Sequence, residues 1–336
     1  MPHEFDLLVI GDANPDVIAG PVPEEVAFGQ HEQLVDAGTL TLGGSAAIMA
    51  CGAARLGLRV AFAGRVGDDD AGRYVRDTLW SRGVDVGGLR LDPDLPTPLT
   101  VVLTRGDDRA IITSPGTLAA TGAADVPESL LARSRHVHAA SYFLMPGLAA
   151  ALPELFRAAR GHGATTSLDT NDDPAGRWDP AGIAAVLPHT DVLLPNANEA
   201  RCLARALAGD PAETSDTAAS LEAAALALAV RGPLVVVKNG ADGALCHDGR
   251  AVLATKGIDV TPVDAVGAGD SFDAGFVAAT LGGLPLAEAL EFAAVCGALS
   301  TRASGGTAAQ PTWHEALAHV TAQPGATLPA DDEKRR

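Results

Sequence analysis

A three-layer α/β/α fold, with a central and mostly parallel sheet and a small β-sheet beside it, is what this 336-residue sequence predicts. Three observations carry the expectation. Short continuous apolar runs ending at glycine or aspartate recur along the chain, which is the pattern of strands buried on both faces. Helix-density runs separate them, and strands that alternate with helices build a parallel sheet covered on both sides. Two stretches, near residues 17–42 and 96–115, hold β-rich segments with little helical pattern between them. We read those as strands of a lid inserted into one domain spanning residues 1–325, with 326–336 a solvated tail.

The elements follow in order. FDLLVI at residues 5–10 reads as a buried parallel strand that opens into a loop carrying Asn14 and Asp16. Ligands collect at the carboxyl ends of strands in open α/β sheets, so this loop is a candidate site wall; an Asx turn around Pro15 is the plainer alternative. Gly43-Gly44 precede a small-residue helix over 45–56, closed by Gly57, and residues 59–63 form the next strand. Asp68, Asp69 and Asp70 suit the acidic start of a helix beginning near Ala71 better than a calcium loop. Two β-rich runs flank Gly106-Asp107-Asp108, a hairpin signal. Alternating runs then continue through 136–140, 148–160, 165–168, 183–187, 192–194, 199–208, 220–230 and 234–237. A strand-like pattern at 251–260 leads to a glycine-rich bend and a helical run at 276–281.

Composition narrows the function. A net charge of −18 argues against nucleic acid, whose binding needs clustered Lys and Arg. No apolar run reaches the ~18 residues of a membrane span and residues 1–10 lack a signal-peptide pattern, so a cytoplasmic protein is expected. The four cysteines, Cys51, Cys202, Cys246 and Cys296, are spaced unlike metal ligands and read as reduced, packed thiols.

The bend TPVDAVGAGDSFDAGF at 261–276 carries the chemistry. Gly267 and Gly269 lack Cβ atoms, so the backbone can take positive φ and let a ligand approach its N–H groups. Those groups open a helix, where unpaired donors and the macrodipole favour an anion, phosphate being the natural one. Asp270 sits beside that anion hole, where a carboxylate serves as a proton acceptor. A tight glycine turn with Asp270-Ser271 as a helix N-cap is the other reading of the same residues.

The run from Asp264 through Gly267-Ala268-Gly269-Asp270 to Phe276 resembles the C-terminal signature of the PfkB, or ribokinase-like, carbohydrate kinases, with Ala265 and Val266 where that family usually has two threonines. Gly43-Gly44, the Gly67 to Gly72 segment and Pro195-Asn196-Ala197-Asn198-Glu199 occur in the same order as in that family, so the resemblance spans nearly the whole chain. It implies a ribokinase-like domain and ATP-dependent phosphorylation of a hydroxymethyl group on a small sugar or sugar acid. In this reading Asp270 is the base and the N–H groups of Gly267, Ala268 and Gly269 form the anion hole. Asn196 and Glu199 arrange Mg²⁺ through water, with capping of the next helix as their alternative role. Lys238, Gly240, Gly243 and Asn196 face ATP; Asp264 and the Val266 carbonyl, with carbonyls from 303–306, resemble a monovalent-cation loop suited to potassium. Asn14, Asp16, Gly43 and Gly44 match sugar-facing positions. Ribokinases read Gly-Gly-Lys-Gly-Ala-Asn where this chain has Gly43-Gly44-Ser45-Ala46-Ala47-Ile48, which makes ribose the less favoured acceptor. Asp169 and Asn171, followed by Arg177-Trp178, are similar to a stretch of fructokinase-like and 2-keto-3-deoxygluconate kinase-like members. Arg109 is either a reach toward an acidic sugar or an exposed hairpin residue.

The resemblance also implies pairing of two copies through the lid. Competing readings are a nucleoside kinase of the same family, which needs an aromatic near the lid and has Phe28, and a silent sugar or nucleotide sensor, which has no need of Asp270. A Walker-type NTPase is excluded by the missing G-x-x-x-x-G-K-[ST], and a dinucleotide site fits poorly because Phe272 takes the third glycine's place.

Overall fold

A computed structural model describes residues 3–106, 108–209 and 220–321. In chain order the strands are β1 (Phe5–Ile10), β2 (Asn14–Gly20), β3 (Ala37–Gly43), β4 (Val60–Gly67), β5 (Val84–Asp92), β6 (Leu99–Arg105), β7 (Asp108–Ser114), β8 (Ser134–Ala139), β9 (Thr165–Leu168), β10 (Val192–Leu193), β11 (Leu234–Lys238), β12 (Ala244–His247) and β13 (Val252–Thr255). The helices are α1 (Ser45–Arg55), α2 (Asp70–Ser81), α3 (Glu128–Arg133), α4 (Pro146–Gly161), α5 (Pro180–Val186), α6 (Ala197–Ala208), α7 (Leu221–Ala229), α8 (Ala268–Leu281), α9 (Leu286–Ser300) and α10 (Trp313–Thr321). The predicted fold class is the one observed.

Nine strands form the main sheet in the order β13-β12-β11-β10-β9-β8-β1-β4-β5, parallel from β11 to β5 and antiparallel at the β13 edge. Apolar side chains of β1 alternate between its two faces. Leu7 and Val9 belong to a core shared with α1, α8, α9 and α10, whereas Leu8 and Ile10 join one shared with α3 to α7. A strand buried on both sides therefore needs an unbroken apolar run, which FDLLVI supplies. Among the described residues no helix is long and apolar enough to cross a membrane.

The small sheet runs β3-β2-β6-β7, with β2 parallel to β6 and the outer pairs antiparallel. Here the structure corrects one reading: Asn14 and Asp16 lie in β2 rather than in a loop, because β2 pairs with β3 from Asn14↔Gly43 onward. A second correction concerns 251–260. Its strand covers only Val252–Thr255, since Thr255 pairs with Ala244, the first residue of β12, and β13 ends where its partner does. Strand β5 had no clear sequence signal because Gly87 and Gly88 interrupt it. Asp69 caps α2 by accepting from Gly72 N–H at 2.8 Å, as its acidic start suggested. The expected tail at 326–336 lies outside the described residues.

Candidate active site

Helix α8 begins at Ala268, preceded by Gly267 at φ 72. A Cβ on Gly267 would stand 2.6 Å from Gly306 Cα, so both the left-handed backbone and the close approach require glycine. The first i→i−4 bond of the helix is Ser271 N–H to Gly267 O at 2.9 Å; of the amides ahead of it, in the donor-rich first turn, that of Ala268 makes a 3.3 Å bond to Ala265 O. Asp270 stands in that turn and is 9 % exposed. Burial above all pushes its carboxyl up to about 7, against the Ser45 hydroxyl, which donates to Oδ1.

Below Asp270 lies a charged triad. Lys238, at the end of β11, places Nζ 2.6 Å from Asp169 Oδ2 and 3.0 Å from Asp273 Oδ2. One carboxylate oxygen from each of Asp169, Asp270 and Asp273 lies within 4.8 Å of the others. For Asp169, burial opposes ionisation, but the Lys238 charge and hydrogen bonds from Asp273, Lys238 and Asn171 hold its carboxyl below the usual range. Burial raises Asp273 above the usual range, with the Lys238 charge opposing. Both carboxylates of the triad thus face the Lys238 cation, the pairing that a buried charge requires.

On the opposite wall, registered pairs align Thr41, Asp16, Thr100 and Thr113 across the small sheet. Asn14 Nδ2 donates to Asp16 Oδ1 at 2.7 Å and to Thr100 Oγ1 at 3.2 Å, and the hydroxyls of Thr100 and Thr113 lie 3.1 Å apart. Burial pushes the Asp16 carboxyl up to about 6, with the charges of Asp12 and Asp264 adding to it and the Asn14 bond opposing. Gly43 lacks a Cβ because one would overlap that carboxylate. Gly44, at φ 88, then turns the chain into α1, so Ser45, which touches Asp270, stands two residues beyond the Gly43 that lies against Asp16.

The remaining expected residues are distributed as follows. Asn196 caps α6: its Oδ1 accepts from Asn198 N–H at 2.9 Å and Glu199 N–H at 3.0 Å, while Glu199 Oε2 accepts from Asn196 N–H at 2.7 Å. Asn196 also bridges to Lys238 in parallel fashion, which keeps this cap at the triad. Burial, then the charge of Asp169, pushes Glu199 up to about 7. Gly240 and Gly243 bound a short turn after β11, with Gly243 against the end of β13. Asp264 accepts from Val266 N–H and Gly305 N–H, each at 2.9 Å, which draws the 264–266 segment to the 303–306 segment. Arg109 reaches from β7 to within 3.9 Å of Asp264 while staying 40 % exposed. The polar atoms of Lys238, Asp169 and Asn171 are engaged with one another and with neighbouring protein groups, and Asn14 and Asp16 are bonded to each other on the small sheet. A cavity of about 650 Å³ lies elsewhere, between α4 and α5 near Tyr142 and Arg177, and none of these residues lines it.

Sequence reasoning did not single out Asp12, Ser45, Asp273, Thr100 or Thr113. Asp12 accepts from the amides of Ser45 and Ala46 at 3.1 and 3.0 Å, capping α1 from the end of β1. Its signal was the Gly11-Asp12 pair that ends a buried apolar run. The threonines carried no clear signal, because Val101-Val102-Leu103 and Ala110-Ile111-Ile112 break the apolar/polar alternation of LTVVLTR and DRAIITS.

The sequence model described as pfkB family carbohydrate kinase matches residues 5–313. The chain is 34% identical over 268 residues to an ATP-dependent ribose-1-phosphate kinase of Halopiger xanaduensis, covering 80% of this chain and 82% of that one. It is 30% identical over 310 residues to a 2-dehydro-3-deoxygluconokinase of Thermoproteus tenax, covering 89% and 88%. The fold is similar to that of Arabidopsis thaliana ribokinase complexed with ribose and ATP, with a TM-score of 0.76, 25% identity, and 95% and 98% of the two chains covered.

Proposed function

The chain belongs to the PfkB family and is a carbohydrate kinase, and on that premise we propose that it moves the γ-phosphoryl group of ATP onto the hydroxymethyl group of a small sugar or sugar acid, with Asp270 as general base. The observation that carries this reading is a buried carboxylate in the first turn of α8, beside a glycine-lined set of amides and across from a wall of hydroxyl-binding side chains.

Each part has a physical task. The acceptor's hydroxyls bond to Asn14 and Asp16, with Gly43 and Gly44 giving the close approach, and its hydroxymethyl oxygen lies at Asp270. That oxygen attacks the γ-phosphorus, its proton passes to Asp270, and ADP leaves. The amides of Gly267, Ala268 and Gly269 bind the equatorial oxygens of the transferring group and stabilise their charge. The nucleotide lies along Gly240 and Gly243, beside the Asn196 cap and Lys238. Mg²⁺ would be held through water at Glu199 and Asn196, supplying neutralisation of the phosphates. The donor set fits that outer-sphere role, because both Glu199 oxygens already accept from Asn196 and are held in the cap, with a lone pair on each left to accept from a metal-bound water. Potassium would be held by the Asp264 segment, the Val266 carbonyl and residues 303–306. In this reading the small sheet is a lid that excludes water when acceptor binds.

Arg109 supports an acidic or phosphorylated acceptor, being an exposed cation that reaches the cleft from the lid. The curated relatives point the same way, since two of them are named for an acidic sugar and a sugar phosphate. A nucleoside acceptor lacks comparable support: Phe28 is 92% exposed between β2 and β3. A second copy would pair through the outer face of the lid, where Leu40, Val17, Val101 and Ile112 form a registered apolar row with Leu40 54% and Ile112 61% exposed.

The test is ADP release from Mg-ATP against fructose, ribose, 2-keto-3-deoxygluconate, ribose-1-phosphate and nucleosides. Turnover on a sugar or sugar acid supports the proposal, and loss of it in Arg109→Ala for the anionic acceptors alone supports the acidic assignment. Turnover confined to nucleosides, or ADP release indifferent to every acceptor, overturns it.

A further inference from the structure

Ser45 opens α1 at the position where ribokinases carry a lysine, and its hydroxyl is the group in contact with Asp270. Three hydrogen bonds run in line to this contact. Ser141 N–H donates to Asn171 Oδ1 at 2.7 Å, Asn171 Nδ2 donates to Ser45 Oγ at 2.9 Å, and Ser45 Oγ–H donates to Asp270 Oδ1.

The direction of every bond is forced by chemistry. A backbone N–H only donates, so the Asn171 atom facing Ser141 is the carbonyl oxygen, and the atom facing Ser45 is the amide nitrogen. That nitrogen also only donates. It therefore takes a lone pair of Ser45 and turns the single hydroxyl hydrogen toward the carboxylate. Both ends of the first bond are held in unusual backbone: Ser141 has φ 57 and Asn171 has φ 54, in the left-handed region that residues with side chains rarely occupy. Such geometry persists where surrounding structure enforces it, often at functional sites.

We propose that Ser141, Asn171 and Ser45 form a positioning relay that fixes one oxygen of the Asp270 carboxylate and presents the other, Oδ2, to the acceptor hydroxyl. Ser45 and Asn171 are on this account positioning residues, and Asn171 acts through Ser45 rather than on the sugar. The inference rests on Asp270 being the base. It agrees with the electrostatics, since the Ser45 bond favours the ionised form against burial. The other charged groups facing Asp270 are Asp12 from the end of β1, Asp169 after β9, Lys238 at the end of β11 and Asp273 one turn along α8.

Ser45→Ala, Ser45→Thr and Asp270→Asn, each checked for folding by its melting temperature, separate the possibilities. Ser45→Ala should lower kcat by about tenfold or more, the worth of a hydrogen bond to a charged group, with KM for the acceptor changed by less than about twofold. The acid limb of its kcat/KM profile should move to higher pH, and Ser45→Thr, which keeps the hydroxyl, should restore both. A rise in KM with kcat intact would make Ser45 an acceptor ligand and overturn the relay. So would a wild-type kcat and pH limb in Ser45→Ala alongside an inactive Asp270→Asn, which would leave the base assignment standing. An active Asp270→Asn would remove the base assignment itself.

Discussion

Lys238→Met removes the only cation of the buried triad while keeping the length of its side chain. In the wild type Lys238 is the cation that both Asp169 and Asp273 face, at 2.6 and 3.0 Å. The variant leaves the Asp169 carboxylate 1% exposed with no counter-charge. Breaking a buried pair by deleting one partner costs about 3–5 kcal/mol, most of it the desolvation of the charge left behind. Asp169→Asn in the same chain removes that charge, so the double variant should regain about 2 kcal/mol or more of the loss. The stranded Asp169 would have its pKa raised above the unfolded value, so the deficit of the single variant should shrink as pH falls toward the carboxylate range. Urea denaturation of the wild type, both single variants and the double variant at pH 7 gives the cycle. Additive costs, with the double variant as unstable as the sum of the singles, would refute the account of the triad as a mutually neutralised unit.

Other outcomes follow from individual contacts. With the Asp270 carboxyl pushed up to about 7, kcat/KM should fall about tenfold per pH unit below that value, because the base must be ionised. The same raised value stabilises the fold while Asp270 is protonated; that contribution is complete below about pH 4 and lost as pH rises through about 7, so Asp270→Asn should melt higher than wild type at pH 8 and not at pH 4. Gly267→Ala forces a side chain into φ 72 and against Gly306, which should cost about 2–4 kcal/mol in denaturation and disturb turnover by displacing the amides of the first turn. Asn196→Ala removes the cap of α6 and should lower stability by about 1–2 kcal/mol, measured by urea titration.

Much of the main sheet was legible because buried parallel strands need continuous apolar runs, and FDLLVI and LVVV are such runs. The glycine turn ahead of α8 was legible for a related reason: only glycine can supply both the backbone angle and the close approach at Gly267. What the sequence hid was partnership across distance. Nothing near Ser45 announces that Asn171, 126 residues away, would orient its hydroxyl, or that Lys238 would be held between Asp169 and Asp273. Such contacts depend on where strand ends converge, and side-chain type alone does not fix them. The short reach of β13 was hidden likewise, since a strand's length is set by its partner.

The most direct test of the central claim is turnover by Asp270→Asn measured beside its binding of nucleotide and acceptor by calorimetry. With Asp270 as base, the variant should bind both with near-wild-type affinity and lose about 10²-fold or more in kcat, the scale of a missing general base. Near-normal kcat in a variant that binds both ligands would contradict the claim.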